Sequence, residues 1–269
     1  MAGGEARARR TLTVAGHRLH FFQHIAAPGV QGPRPPLLLI HGAGGNYLQW
    51  PPRLRRLPAT SVYALDLPGH GKSPGPGYAT VEEYRAVVQA FVTALGLAAP
   101  LVAGHSLGAA IALAYAHTHP QAAAGLALVG GGPRLPVSPK LLALLETDPA
   151  RAAERIVAGF YGPETPAGAR ERSLAALHAC APGVLLGDFV ACARFDMTAA
   201  LPAIHIPALV VCGAGDRMVA PALSAELAAG LPDSQLVMLP DTGHMLMVER
   251  PAQIVTVFAD FLERWGHRV

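Results

Sequence analysis

Lysine, cysteine and long apolar runs are all scarce in this sequence of 269 residues. Only Lys72 and Lys140 are lysines, and the arginines are spread from Arg7 to Arg268 without a dense block. The formal net charge is only +3. Because nucleic-acid binding needs a concentrated basic surface, no nucleic-acid partner is expected.

The three cysteines argue against a covalently cross-linked fold. Cys180, Cys192 and Cys212 are odd in number and form no CxxC pattern, so neither a disulfide framework nor a zinc site is predicted. Reduced thiols of this kind are typical of a cytoplasmic protein, which is the location we expect.

The lack of a long apolar segment predicts a chain without a membrane span. The first residues, MAGGEARARRTL, carry early positive charge but are not followed by an apolar region of roughly 7–15 residues, so no signal peptide is predicted. The longest apolar stretches, such as LGAAIALAYA at 107–116, are well below the roughly 18 residues of a membrane-spanning helix. We therefore expect a soluble protein.

The chain does contain enough apolar sequence for a large core, because hydrophobic residues make up 51% of it. Short apolar runs alternate with amphipathic helical patterns such as 81–97 and 221–231. The first two runs are close enough for an antiparallel hairpin, and the later ones read as parallel strands buried on both faces. The runs are TLTVAG (11–16), HRLHFFQHIA (17–26), PLLLIHG (36–42), SVYALDLPG (61–69), PLVAGH (100–105), GLALVGG (125–131), PALVVCGAGD (207–216) and QLVMLPDTG (235–243).

This alternation of strand-like runs and helical patterns is interrupted between about Pro133 and Leu201. The pattern there is helical, with Pro and Gly between the helical stretches, and a strand-like run resumes only after it. Because the strands on both sides are needed to complete one sheet, we interpret 133–201 as a helical insertion. The segments 1–132 and 202–269 would then form one α/β core.

A serine flanked by two glycines lies between a strand-like run and a helical pattern. The stretch Gly104–Gly108 reads GHSLG and has the form G-x-S-x-G in the context where that motif has a mechanism. The glycines remove Cβ atoms where strand and helix crowd together, so that Ser106 would sit strained and exposed at the end of the strand. We interpret Ser106 as a nucleophile.

A serine nucleophile needs a base and an orienting acid, and two later strand-like runs end near candidates for both. The run PALVVCGAGD ends at Asp216, and the run QLVMLPDTG ends just before His244. All three side chains would lie at the carboxyl ends of core strands, the edge where parallel sheets bind ligands. We predict a catalytic triad of Ser106, Asp216 and His244.

Five stretches of the sequence carry a family resemblance: LLLIHGAGG, DLPGHGKS, GHSLGA, VVCGAGD and LPDTGHMLMVERP. In this order they resemble the α/β-hydrolase fold superfamily, and in particular a serine carboxylesterase-like member with a helical cap. The resemblance covers nearly the whole chain. It implies a mostly parallel eight-stranded sheet flanked by helices, with the insertion 133–201 as the cap over the pocket.

The same resemblance implies two backbone donors for the oxyanion of a tetrahedral intermediate. One is the N–H of Leu107, directly after the nucleophile, and the other is the N–H of Ala43 in the loop HGAGG. No cofactor is implied. No metal site is predicted either, because His117 and His119 have no cluster of further ligands around them. The expected partner is a small-molecule ester.

Several other titratable residues lie near the predicted site edge. Asp241 stands three positions before the predicted base, and its expected role is hydrogen bonding within that loop. Asp66 is interpreted as a structural turn residue. His41, His70 and His105 are interpreted as loop-packing residues, although His41 or His105 could line the pocket.

The predicted reaction is hydrolysis of carboxylic esters with small to medium acyl chains through an acyl-serine intermediate. A serine nucleophile argues against epoxide hydrolases and haloalkane dehalogenases, which use aspartate at that position. Carbon–carbon bond hydrolysis, lactone hydrolysis and thioester hydrolysis use the same triad and stay open, as does a ligand sensor with slow turnover. Residues that would line the pocket, or pack among the cap helices, are Leu141, Leu145, Phe160, Phe189 and Val190.

Overall fold

The computed structural model describes residues 9–26 and 34–266. Eight strands, nine α-helices and three short 3₁₀ helices lie in these two ranges. The strands are β1 (Arg9–Val14), β2 (His17–His24), β3 (Leu37–Ile40), β4 (Val62–Leu65), β5 (Leu101–His105), β6 (Gly125–Val129), β7 (Ala208–Gly213) and β8 (Ser234–Leu239). The helices are α1 (Val81–Ala94), α2 (Leu107–Thr118), α3 (Pro139–Thr147), α4 (Pro149–Phe160), α5 (Ala169–Ala179), α6 (Pro182–Arg194), α7 (Pro221–Gly230), α8 (Leu246–Glu249) and α9 (Pro251–Gly266).

All eight strands form one sheet in the order β1-β2-β4-β3-β5-β6-β7-β8. The first two pair antiparallel, with Arg10 opposite Phe21, as expected for a hairpin. Strand β2 also runs antiparallel to β4, and every other neighbouring pair is parallel. The prediction of a mostly parallel eight-stranded sheet flanked by helices is therefore confirmed.

The central strands are buried on both faces, as their continuous apolar runs predict. Successive residues contribute to two separate cores, so that Leu38 and Ile40 of β3 pack on one side of the sheet while Leu37 and Leu39 pack on the other. Helix α2 lies in the first of these cores and is buried from Leu107 to Ala116. A helix that is apolar all round needs such a covered position.

Strand β8 departs from the prediction that every later run is buried on both faces. Leu236 is 38% exposed and Met238 is 45% exposed. The strand lies at the edge of the sheet with β7 as its neighbour, so it lacks the lateral cover that the central strands have. An apolar run alone does not distinguish an edge strand from a central one.

Between β6 and β7 the chain forms α3, α4, α5 and α6, within the range 133–201 predicted to be a helical insertion. These helices share an apolar cluster of their own that includes Leu145, Ile156 and Phe189. Where the insertion begins and ends, the N–H of Met197 donates to the carbonyl of Pro133 at 2.8 Å, and the neighbouring residues form an antiparallel bridge. The two ends therefore lie side by side.

No single helix in the described part of the chain is long and apolar enough to cross a membrane. Helices α5 and α6 reach that length and composition only as a pair bent by 104°.

Candidate active site

The predicted nucleophile lies in a sharp turn between β5 and α2. Ser106 has φ +55° and ψ −115°, a conformation that side-chain-bearing residues rarely adopt. Its N–H donates to the carbonyl of Val129, and its own carbonyl accepts from the N–H of Ala109, both at 2.9 Å. These bonds hold the strained residue at the carboxyl end of the sheet.

Both glycines of the G-x-S-x-G motif are required by close backbone packing. A Cβ on Gly104 would collide with the backbone of Gly108 one turn further on. A Cβ on Gly108 would collide with the carbonyl oxygens of Ile40 and His41 at the end of β3. The motif therefore reflects the contact between helix and sheet as well as the turn itself.

Asp216 and His244 form a buried hydrogen-bonded pair. His244 Nδ1 and Asp216 Oδ2 lie 2.7 Å apart, and both side chains are almost fully covered. The other carboxylate oxygen accepts from the N–H groups of Met218 and Val219 at 2.8 and 2.9 Å. Because the carboxylate is an acceptor, His244 donates from Nδ1, and Nε2 is the ring nitrogen left for another partner.

His244 is brought beside the nucleophile turn by the residue that precedes Ser106. The rings of His105 and His244 lie 4.6 Å apart, centre to centre. His105 Nε2 also donates to the carbonyl oxygen of His244 at 3.0 Å. From the other side, the N–H of His244 donates to the carbonyl of Phe160, at the end of α4, at 2.7 Å.

The buried histidines around the site support the loops and do not line the cavity that contains Ser106. Burial, followed by the neighbouring His244 imidazole, holds the pKa of His105 well below 6.5. Burial and then the nearby His70 lower the pKa of His41 to about 4. The expectation that His41 or His105 could line the pocket is wrong for the described cavity, because both side chains are enclosed by protein.

The two predicted oxyanion donors lie at the carboxyl ends of neighbouring parallel strands. Leu107 is the first residue of α2, where backbone N–H groups have no partner within the helix. Ala43 lies three residues after β3, which pairs with β5. The carbonyl of Gly42 accepts from His41 Nδ1 at 2.8 Å and from the N–H of Gly45 at 3.0 Å. In a trans peptide these bonds also fix the direction of the Ala43 N–H.

A cavity of about 260 Å³ contains Ser106 and is bounded mostly by apolar side chains. Of the residues predicted to line it, Leu141 and Phe189 do so. Leu145 and Phe160 pack in the apolar cluster of the insertion, and Val190 is not among the lining residues described. The lining residues are Ser106, Leu135, Pro136, Val137, Ser138, Leu141, Phe189, Cys192, Arg217, Met218 and Val219.

Sequence reasoning missed two buried carboxylates that hold backbone N–H groups near the site. Asp188 of α6 accepts from the N–H of Gly44 at 2.8 Å. Glu249 accepts from the N–H of Gly243, next to His244, at 3.0 Å and from the N–H of Gly162 at 2.9 Å. The available signal was a single acidic residue inside an apolar helical stretch, as in GVLLGDFVACARF for Asp188.

Asp66 has the structural role expected of it, whereas the expected hydrogen bonding of Asp241 within its own loop stays a prediction. Asp66 is fully buried and accepts from the N–H groups of Tyr47 and Lys72 at 2.8 and 3.1 Å. Asp241 is exposed, and its carbonyl accepts from Arg250 at 3.3 Å. In the described ranges no group of three or more His, Cys, Asp or Glu side chains could hold a metal ion.

Several known proteins are similar to this chain over most of its length. Residues 37–257 match the model of the Alpha/beta hydrolase family. The chain is 31% identical to a pimeloyl-(acyl-carrier protein) methyl ester esterase of Aromatoleum aromaticum over 84% of this chain and 98% of that protein. It is 30% identical to a 2-succinyl-6-hydroxy-2,4-cyclohexadiene-1-carboxylate synthase of an Enterobacter species over 85% and 92%. A solved hydrolase structure from Pseudomonas aeruginosa matches with a TM-score of 0.83 and 26% identity over 94% and 98%.

These matches agree with the architecture of the chain. The family model covers every strand from β3 to β8, including the turn that holds Ser106 and the loops that hold Asp216 and His244. The solved structure extends the similarity over nearly the whole chain. The chain belongs to the alpha/beta hydrolase family.

Proposed function

We propose that this chain is a serine hydrolase that cleaves carboxylic esters of small to medium acyl chain through an acyl-serine intermediate. The observation that carries the proposal is the buried 2.7 Å bond between His244 Nδ1 and Asp216, beside a serine in a strained strand-to-helix turn. Similarity to an esterase of Aromatoleum aromaticum supports the same type of reaction.

In the first half of the reaction His244 acts as a base. Its Nε2 takes the proton from Ser106 Oγ, and the oxygen attacks the ester carbonyl carbon. Asp216 holds the ring in the required tautomer and stabilises the imidazolium that forms. When the tetrahedral intermediate collapses, the bond to the alcohol oxygen breaks, and His244 returns the proton to the departing alcohol.

In the second half water replaces the alcohol. His244 Nε2 takes a proton from water, and the resulting hydroxide attacks the acyl-serine carbonyl. The Ser106 Oγ–acyl bond then breaks, the carboxylic acid is released and Ser106 recovers its proton. In both halves the N–H groups of Ala43 and Leu107 would stabilise the oxyanion, a type of interaction whose loss typically costs about 10²–10³ in kcat.

The preference for small to medium acyl chains follows from the size and lining of the cavity. Its volume of about 260 Å³ lies just below the range of common ligand pockets, which is about 300–1,000 Å³. Leu141 and Phe189, both from the insertion, give it an apolar wall. We therefore assign the insertion 133–201 the role of a cap that covers the acyl site.

A series of p-nitrophenyl esters from acetate to palmitate tests this proposal. We expect kcat/KM to be highest for the shorter acyl chains, and Ser106→Ala to reduce it at least roughly a thousandfold. The control is Ser138→Ala, because Ser138 lines the same cavity. Its hydroxyl accepts from the N–H of Leu141 at 3.2 Å, so this variant should lose a little stability and keep its turnover.

Two results would contradict the proposal. Full turnover by a folded Ser106→Ala variant would exclude the nucleophile, and activity confined to palmitate would exclude a small acyl site. Matched thioesters and lactones belong in the same assay, because they would form the same acyl-serine. Ligand binding with negligible turnover of every ester would favour a sensor.

A further inference from the structure

A buried carboxylate of the insertion contacts three different parts of the core. Asp188 lies in the middle of α6, and its side chain has no solvent exposure. One carboxylate oxygen accepts from the N–H of Gly44 and from His70 Nε2, each at 2.8 Å. The other accepts from the hydroxyl of Tyr84, on α1, at 2.6 Å. An isolated buried carboxylate would be costly, and these three donors compensate for its burial.

His70 supplies the opposite charge. Its Nε2 faces Asp188, and its Nδ1 lies 3.0 Å from the carbonyl oxygen of Pro68. Both contacts are with acceptors, so only the doubly protonated ring satisfies both. Burial works against this charge, but the charge and hydrogen bond of Asp188 outweigh it and raise the pKa of His70. The neighbouring His41, 4.9 Å away centre to centre, is neutral and does not compete for the carboxylate.

Of the three contacts that Asp188 makes, the one with Gly44 lies next to the predicted oxyanion donor, Ala43. Ala43 stands between two peptide groups, and both are anchored. The carbonyl of Gly42, on the first, is held by His41 and the N–H of Gly45. The N–H of Gly44, on the second, is held by Asp188. The Ala43 N–H lies in the first plane, and the second plane joins it at the Ala43 Cα, so anchoring both keeps the Ala43 backbone from shifting before any substrate arrives.

We propose that Asp188 is a positioning residue for ester hydrolysis, which holds the Ala43 N–H toward the developing oxyanion through its bond to Gly44. This inference rests on the proposed function, because it assigns Ala43 to the oxyanion site. It adds a dependence on the cap, since the anchoring carboxylate comes from α6. The oxyanion site is complete only when that helix is in place.

Three variants separate positioning from a merely structural ion pair. Asp188→Ala removes the acceptor of Gly44, whereas Asp188→Asn keeps an amide oxygen that can accept the same N–H. Both variants abolish the ion pair with His70, so both should lower the melting temperature. Tyr84→Phe removes the hydroxyl that donates to Asp188 and accepts from the N–H of Tyr78, and it leaves the bond between Asp188 and Gly44 intact.

For p-nitrophenyl butyrate we expect Asp188→Ala to reduce kcat about 10–100-fold while KM changes less than about threefold. The inhibition constant of an alkyl boronic acid, which forms a tetrahedral adduct with the serine, should rise by the same factor as kcat falls. Asp188→Asn and Tyr84→Phe should keep kcat within about threefold of the wild type. If Asp188 had only a structural role, kcat would not recover in Asp188→Asn, because that variant does not restore the ion pair.

Equal loss of kcat in Asp188→Ala and Asp188→Asn would overturn the proposal, as would full kcat in Asp188→Ala. If Asp188→Ala does not fold, amide hydrogen exchange in the wild-type protein decides the point. The Gly44 N–H should exchange as slowly as the amides of β3, and fast exchange would overturn the proposal. Wild-type protein without Ser106-dependent turnover would refute the proposed function instead, and the exchange measurement would still test the Gly44 anchor.

Discussion

Of three buried histidines near the candidate site, one is charged and two are neutral, and their surroundings explain why. His70 has an acceptor at each ring nitrogen and is charged. His41 accepts from the N–H of Leu67 at Nε2, so a proton there would face another donor. His105 donates from Nε2 to the carbonyl oxygen of His244, and its ring is enclosed by protein. Each ring is thus fixed in the protonation state that its loop requires.

These states predict acid sensitivity in a defined window. The folded pKa of His41 is about 4, below its value of 6.5 in an unfolded chain. Its contribution is therefore fully present above pH 6.5 and is lost as the pH falls toward 4. Between pH 7 and pH 5 His41 alone should cost about 2 kcal/mol of the free energy of unfolding. His105 acts in the same direction.

Urea denaturation at pH 7, 6 and 5 measures this loss. His70 opposes this loss only between pH 7 and about pH 6.5, because a raised folded pKa gives a contribution that is complete below the unfolded pKa of 6.5 and is lost as the pH rises through the folded pKa. His178→Gln is the control, since His178 is exposed, and it should leave the slope with pH unchanged. Equal stability at pH 7 and pH 5 would contradict the assignment of neutral His41 and His105.

At the scale of single residues, some positions of the candidate site can be predicted from the sequence, and others are apparent only from the structure. The turn that holds Ser106 could be predicted because it imposes glycines at fixed spacing, and the positions of Asp216 and His244 because they follow recognisable strands. Asp188 could not be predicted to meet Gly44, since 144 positions separate them and no local pattern joins them. Its partners are defined by packing of α6 on the core, which a spacing rule does not contain.

At the scale of elements, the packing of α2 against β3 and β5 determines where Ser106 lies. The helix approaches the end of β3 so closely that Gly108 contacts two backbone carbonyls. We expect Gly108→Ala to destabilise the protein by more than about 3 kcal/mol, or to prevent folding, because backbone atoms cannot move aside as a flexible side chain can. Thermal unfolding measures the effect.

Gly183 provides a matched control for that substitution. It lies in the first turn of α6, and a Cβ there would meet nothing within 4 Å. Gly183→Ala should therefore leave stability unchanged or raise it by up to about 1 kcal/mol. If the two alanine variants melted at the same temperature, the close approach at Gly108 would have no energetic significance.

The elements themselves were largely predictable because each strand is a short apolar run between turn residues. Helices α1 and α7 also match their amphipathic patterns, at 81–97 and 221–231, to within a few residues. The exposure of β8 was not predictable, because Leu236 and Met238 are as apolar as the residues of a central strand. Only the order of strands in the sheet shows that β8 lies at the edge.

At the scale of the whole molecule, Glu249 connects the insertion to the loop that carries His244. Its carboxylate holds the N–H of Gly162, just after α4, and the N–H of Gly243. Glu249→Ala leaves two buried donors without an acceptor, so we expect a loss of about 3 kcal/mol in the free energy of unfolding and a decrease of roughly tenfold in kcat. Urea denaturation and ester kinetics measure the two effects.

The control for Glu249 is Glu263→Ala on α9. Glu263 is 62% exposed and lies 3.6 Å from Arg34, so its removal should change stability by less than about 0.5 kcal/mol and leave kcat unchanged. A Glu249→Ala variant that lost stability but kept full kcat would show that the His244 loop keeps its geometry without this carboxylate.

Because the two ends of the insertion lie side by side, the insertion can be replaced as one unit, a cassette. Pro133 and Met197 are already joined by a 2.8 Å hydrogen bond, so a replacement segment of different length would start and finish at one fixed point on the core. Such a cassette would also have to replace two contacts that the core does not provide. One is an acceptor for the Gly44 N–H, and the other is a carbonyl for the N–H of His244. A graft that supplied both contacts would keep the Gly44 and His244 backbone anchored while changing the residues that line the cavity beside Ser106.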